Sequence, residues 1–253
     1  MSLPLYYVIL IILGFLPSII WLAYFLRKDC HPEPKHLIIK TFLMGIIVSP
    51  LVVQAGYLSI YLISTFFGAQ ASTSEILQDY RFLLWAAFLE EMIKFLAVTF
   101  VVLKSVEFDE PVDAMIYMVT AGLGFAAMEN MLYLSRTIQE GIINHATLGM
   151  HLQATLTVWL LRFTGATLLH SLSSALLGYF LAMSWFYFHH QRKLIAIGIV
   201  LATIFHFVFN VIVSTPHVVS QLYSIILLIA MAFLISILFD KIKERHQSRL
   251  NTA

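Results

Sequence analysis

The chain of 253 residues has one cysteine, Cys30, and very little charge: Asp, Glu, Lys and Arg make up 11% of it, against about a quarter in soluble proteins. A lone cysteine excludes an internal disulfide framework and any CxxC metal or redox motif. The charge is also balanced, fifteen basic side chains against fourteen acidic for a formal +1, so the basic footprint of a nucleic-acid binder is missing. No fixed-period repeat, Gly/Ser linker or low-complexity run interrupts the chain. What is there is apolar. Hydrophobic residues make up 60% and the mean hydropathy is +0.87, which excludes intrinsic disorder. Such a chain takes the lipid bilayer as its solvent. The expected fold class is all-α, a polytopic membrane helix bundle, with one domain over 1–239 and a basic, frayed tail at 240–253.

A spanning helix needs roughly 20 mostly apolar residues. Seven stretches qualify, at about 3–26, 41–66, 81–103, 112–135, 163–188, 194–213 and 218–239. Pro17 and Pro50 fall inside the first two and are expected to kink them. A weaker stretch, 142–161, contains two histidines, Asn144 and Gln153. Charge decides how to read it. With seven spans, eleven basic residues (Arg27, Lys28, Lys35, Lys40, Lys104, Arg192, Lys193, Lys241, Lys243, Arg245 and Arg249) share one side, and only Arg81, Arg136 and Arg162 lie on the other. The positive-inside rule then puts the N-terminus outside and the C-terminus in the cytoplasm of a multi-pass protein, with a bacterial cell membrane as its expected setting. An eighth span would move six of those eleven outside, so 142–161 is expected to be an interfacial or re-entrant segment. Residues 3–26 lack a basic leader and are followed by Arg27–Lys28, which fits an anchored span rather than a cleaved signal peptide.

Ionisable groups inside hydrocarbon are costly and usually functional. The third stretch carries Glu90, Glu91 and Lys94 near its centre, and the fourth ends with Glu129 and Asn130. His170 lies in the fifth; His206 and Asn210 lie four residues apart in the sixth. Counting about 1.5 Å per residue, Glu90 sits about 14 Å from the outer boundary, Glu129 about 9 Å, and the two histidines about 10 Å. Four helices thus deliver polar groups to one layer, which must face a protein interior or a water-filled cavity. Glu90 and Lys94, at i and i+4, are expected to share a helical face, with Glu91 turned about 100° away. By itself that pair suits structural glue between helices, and a single buried histidine suits packing. The glycines in GLGF and at Gly165 and Gly178 read as close helix contacts.

A glutamate beside two imidazoles suits general-base activation of water. Glu and His are also zinc ligands, so the residue types leave a divalent metal open and make no cofactor certain. Cys30, His31 and His36 lie in a Pro-rich loop with no ligand geometry specified. The sequence has no HExxH, no GxGD, no pair of mid-span aspartates and no serine elbow ahead of a membrane histidine, which disfavours the zinc, aspartyl and serine types of intramembrane protease.

EEMIK at 90–94, GLGFAAMEN at 122–130, His170 and HFVFN at 206–210 together resemble the PrsW family of intramembrane proteases. That family is itself similar to a glutamate-type superfamily with CAAX prenyl endopeptidases and bacterial CPBP proteins, although EExxK stands here in place of EExxxR. EPVDAMIY and the first-loop RKDCHPEPK also resemble the family's usual sequence, and the match runs over about 24–213. The resemblance implies proteolysis of a single-span membrane protein on its extracytoplasmic side, with an anti-sigma factor as the typical substrate. It implies Glu90 and Glu91 as the essential pair, His170 and His206 as the motif histidines, and Asn210 as an oxyanion stabiliser. Lys94, Glu129 and Asn130 would support them. Two other classes compete: a proton-coupled transporter or channel, against which no inverted repeat is visible, and a catalytically silent membrane scaffold, against which the Glu–Glu–His–His–Asn set is complete.

Overall fold

The computed structural model describes residues 3–29, 31–67, 79–143, 148–215 and 218–251; Cys30 and part of the 142–161 stretch lie outside them. Apolar runs long enough to cross hydrocarbon can satisfy their backbone only as helices, and the described chain is helical almost throughout. In order, α1 is Leu3–Leu26, α2 Lys35–Phe67, α3 Tyr80–Val101, α4 Asp113–Ile143, α5 Leu148–Leu161, α6 Thr167–Phe186, α7 Gln191–Ser214 and α8 Val218–Leu250. Six apolar stretches are long enough to span: Tyr7–Leu26, Lys35–Leu62, Asp113–Gly141, Leu152–Phe186, Phe188–Ser214 and Val219–Leu250. The 22 residues of α3 rise about 33 Å, enough to cross a hydrocarbon core of about 30 Å. Three charged residues, Glu90, Glu91 and Lys94, set it apart.

Helix α4 is the axis of the bundle. Ala114 through Met118, Ala121, Leu123, Ala126 and Ala127 are all essentially buried, as expected of a helix apolar on every side. Small residues let its neighbours approach. A methyl at Gly124 would collide with the backbone carbonyl of Phe42 on α2, and one at Gly122 with Ser174 and the His170 carbonyl on α6. The glycines of GLGF are therefore close-contact positions, and the second of these contacts holds α6 where His170 must point. Pro17 and Pro50 both lie within unbroken helices.

Two expectations need correction. Leu148–Leu161 is no separate interfacial or re-entrant element: it runs through a π-helical turn, Arg162–Ala166, directly into α6. An interfacial segment is expected because an eighth span would upset the count of basic flanks; Leu148–Leu161 shares one helix with α6, so it adds no further crossing and the count stands. Nor is the tail frayed, since α8 continues to Leu250. Its basic residues find partners on the end of α6, where Arg245 donates to the Tyr187 hydroxyl at 2.6 Å and Arg249 to the Phe186 carbonyl at 3.0 Å. Phe239 and Ile242 anchor the same helix by full burial.

Candidate active site

Helices α3, α4, α6 and α7 each send polar side chains to one point inside the bundle. On α3, Glu91 and Lys94 are wholly buried and joined at 2.8 Å through Glu91 Oε1. The expected Glu90–Lys94 pair is therefore replaced by the i,i+3 pair. Rotation of Lys94 onto the Glu91 side leaves Glu90 facing elsewhere. The same Oε1 accepts from the Ser173 hydroxyl of α6 at 3.0 Å and lies 2.7 Å from Nδ1 of His206 on α7. Three contacts from three directions fix that carboxylate, as burial of a charge requires.

His170 is held in a parallel way. Its Nε2 lies 2.8 Å from Glu129 Oε2, and its Nδ1 lies 2.9 Å from the Lys94 ammonium. A carboxylate can only accept, so each imidazole directs an N–H at its own glutamate and keeps a lone pair on the other nitrogen. The two lone-pair nitrogens face Glu90, that of His170 while also accepting from Lys94. Glu90 Oε2 is 3.6 Å from His206 Nε2 and 4.0 Å from His170 Nδ1, and this buried oxygen has no hydrogen-bond partner. The two rings sit edge to face, 5.2 Å between centroids.

Glu90, Glu91, Lys94, Glu129, His170 and His206 are thus brought into one connected network. Asn130 belongs to its outer rim: its amide nitrogen donates to Thr167 Oγ1 at 3.0 Å and the Gly14 carbonyl at 3.2 Å. Asn210 is not in the network. Among the described residues no hydrogen bond joins its side chain to the cluster, and its backbone carbonyl accepts from the Ser214 hydroxyl. It lies a turn beyond His206 on the same helix.

Two members were missed by the sequence reading. Ser173 offered no signal beyond standing three residues after His170. Arg162 looked like a flanking surface charge, yet its side chain is only 11% exposed and pairs with Glu129 at 2.8 Å. Its Nε donates to Asn130 Oδ1, and its plane lies over the Tyr133 ring at 4.2 Å. It sits in the π-helical turn, a departure from regular helix often found at functional sites. A cavity of about 220 Å³, lined by α2, α3 and α4, reaches both Glu90 and Glu129.

Glu90, His170 and His206 can each offer one ligand atom, all within 4.8 Å of one another. Two histidines and one glutamate are the donor set of many catalytic zinc sites. Each imidazole here also has a carboxylate on its far nitrogen, the usual outer support of a metal-bound histidine. With the orphaned Glu90 oxygen, these residues fit a divalent ion; the Lys94 contact to His170 is what an ion would displace.

The model of the PrsW family intramembrane metalloproteases matches residues 33–238. A protein named Protease PrsW from Geobacillus kaustophilus is 33% identical over 150 residues, covering 59% of this chain and 62% of that protein, so the match spans less than two thirds of its length. Those of Oceanobacillus iheyensis and Bacillus subtilis are 28% and 27% identical, over 79% and 76% of this chain and 81% and 77% of theirs. No solved structure matches the chain. A family match over most of the sequence, centred on a buried glutamate–histidine cluster, shows that the chain belongs to the PrsW family and is an integral membrane protease.

Proposed function

We propose that this protease hydrolyses a peptide bond of a single-span membrane protein through water activated at Glu90. The observation that carries the reading is the unpartnered Glu90 Oε2, buried 3.6 Å from the free Nε2 of His206 and 4.0 Å from the Lys94-bound Nδ1 of His170. Every other acid of the cluster is already committed to a cation or an imidazole. Glu90 also lines the cavity of about 220 Å³ by which water would arrive.

Glu90 takes the proton of the attacking water and returns it to the leaving amine. Glu91 and Glu129 hold His206 and His170 in one tautomer, with a lone pair on the reacting side. Lys94 neutralises Glu91 in the dry interior. Asn210, a turn from His206, is the side chain we assign to the developing oxyanion. A divalent ion held by Glu90, His170 and His206 would itself supply Lewis-acid polarisation and a more acidic water, with Glu90 then acting as a ligand rather than as the base.

The sidedness follows from charge. With Arg162 buried in the bundle against Glu129, the exposed Arg81 and Arg136 are the two basic flanks left to oppose eleven. This bias favours an outside N-terminus, a cytoplasmic C-terminus and cleavage near the outer face of a cell membrane. An anti-sigma factor suits that geometry as substrate. The test is to express wild type and Glu90→Gln in the same host and map new protein termini in the membrane fraction by mass spectrometry. Termini outside the span of a single-pass protein, present only with wild type, are expected. Identical termini in both would sink the glutamate mechanism, and termini on the cytoplasmic side would reverse the topology.

A further inference from the structure

A cavity larger than the one at Glu90 lies elsewhere in the bundle. It encloses about 520 Å³ between the π-helical turn, the end of α7 and the start of α8. It runs from the α7–α8 turn down to Leu228, about 12 Å along α8 from Ser220 by helical rise. Its wall is mainly apolar, with Phe209, Val213 and Leu228 among the lining residues. Arg162 is part of that wall too, while its ion-pair partner Glu129 lines the smaller cavity together with Glu90. A single ion pair, 2.8 Å long, therefore connects the two spaces. Contacts run from Glu90 through His170 (4.0 Å) and Glu129 (2.8 Å) to Arg162 (2.8 Å), so an extended peptide, advancing about 3.3 Å per residue, would reach this wall within a few residues of Glu90.

We propose that the larger cavity is a side-chain subsite of the protease, taking a large apolar residue of an unwound substrate segment beside the scissile bond. The inference rests on the peptidase reading above. Polar atoms in the wall favour a peptide over a lipid chain. Thr164 and Ser224 spend their hydroxyl hydrogens on the Leu160 and Gln221 carbonyls, at 2.9 Å and 2.8 Å, and keep lone pairs for a donor. Arg162 uses Nε and Nη2 on Asn130 and Glu129 and keeps Nη1 for an acceptor. An acyl tail has no use for either. A peptide unwound for cleavage exposes N–H and C=O groups that hydrocarbon cannot satisfy, and it needs both.

Gly165 marks the floor of the subsite. Unlike Gly122 or Gly124 it has room: a methyl there would meet only the Phe209 ring edge, at an ordinary 3.5 Å. Larger side chains at this position would project into the cavity. The experiment digests a library of denatured-proteome peptides with detergent-purified full-length protein, and reads every cleavage by mass spectrometry. Wild type is expected to favour Leu, Phe or Met at one position flanking the cut. Gly165→Leu and Val213→Phe, which fill the cavity from opposite walls, should move that preference toward Ala or Gly by at least tenfold, the range in which hydrophobic pockets discriminate side-chain size. Val213→Ala, which enlarges it and spares the π-helical turn, should move the preference toward Trp. An unchanged profile in Val213→Ala together with either filling variant would overturn the subsite. Glu90→Gln separates the two readings: cleavage that survives it overturns the Glu90 mechanism, whereas Glu90-dependent cleavage with an unmoved profile overturns the subsite alone.

Discussion

Two acid-rich clusters lie in this molecule, and they are put together on opposite plans. One is the Glu90 network inside the bundle. The other lies where the loop after α1 meets the start of α4. There the Tyr117 hydroxyl donates to Glu33, Asp113 accepts from the backbone N–H groups of Asp109 and Glu110 at 3.1 Å and 2.8 Å, and His31 pairs with Glu110 at 2.7 Å. In this second cluster the acids mostly hold backbone and hydroxyl donors, as helix-start residues do. In the first, two acids hold histidines and leave a third facing the imidazoles with nothing to bind. Acid content alone does not separate them. What separates them is the convergence of two oriented imidazoles on one uncommitted carboxylate.

That contrast can be broken most forcefully at Glu90. Replacing it with Gln keeps the shape and removes the proton acceptor, and we expect cleavage to fall by about 10²–10⁴, the usual worth of a general base. Unchanged turnover of a mapped substrate would erase the difference between the clusters. Next in size is Lys94→Met. Glu91 would keep Ser173 and His206 but lose its buried cation, and breaking a buried pair costs about 3–5 kcal/mol. Thermal unfolding in detergent should show it as a large drop in Tm. An unaltered Tm would mean that water reaches the supposedly dry pair.

Glu129→Gln sharpens the comparison from the imidazole side. His170 would lose a carboxylate and keep a neutral acceptor, and such outer partners are worth about 10–100-fold in metal affinity or activity. Zinc titration followed by calorimetry and a cleavage assay would both report it. Equal values for wild type and variant would show that His170 needs no anchor. The smallest effect is expected in the second cluster. Burial pushes the Glu33 carboxyl up from its ordinary 4.5, so the folded chain holds that proton to higher pH than the unfolded chain does. Its stabilising contribution is full below about pH 4.3 and is lost as pH rises through the raised value. Glu33→Gln should therefore raise Tm modestly near neutral pH, leave it unchanged in acid and spare cleavage. A lower Tm at neutral pH would contradict the assignment of burial as the cause.

The sequence was most informative where it broke its own pattern. Glu90, Glu91, His170 and His206 stood out because each interrupts an apolar run, and helical rise alone placed them at a common depth. The partner of Lys94 was not legible in this way. Glu91 and Glu90 differ by one step of about 100° around the helix, and which of them meets the lysine depends on where Ser173 and His206 arrive from other helices. Arg162 was hidden for the opposite reason: at the edge of an apolar run an arginine looks like an interface anchor. Its capture by Glu129 depends on a π-helical turn that leaves hydrophobic periodicity intact. The same continuity concealed the join between α5 and α6, because the count of basic flanks set 142–161 apart from the span that follows it.

The composition of α3 also has a consequence for how the protein is made. An ionisable residue at the centre of a lone helix costs about 3 kcal/mol to move from translocon to lipid, and α3 has three such residues within five positions. Glu91 and Lys94 offset each other within the helix, but their further hydrogen-bond partners belong to helices that leave the ribosome later: His170 follows Lys94 by 76 residues, and His206 follows Glu91 by 115. Helix α3 thus enters the membrane on credit from α6 and α7, and its retention in lipid has to await their synthesis. A nascent chain halted before α6 would hold Glu91 and Lys94 with only each other for company, which makes assembly of the reactive centre and insertion of its helix a single event in biogenesis.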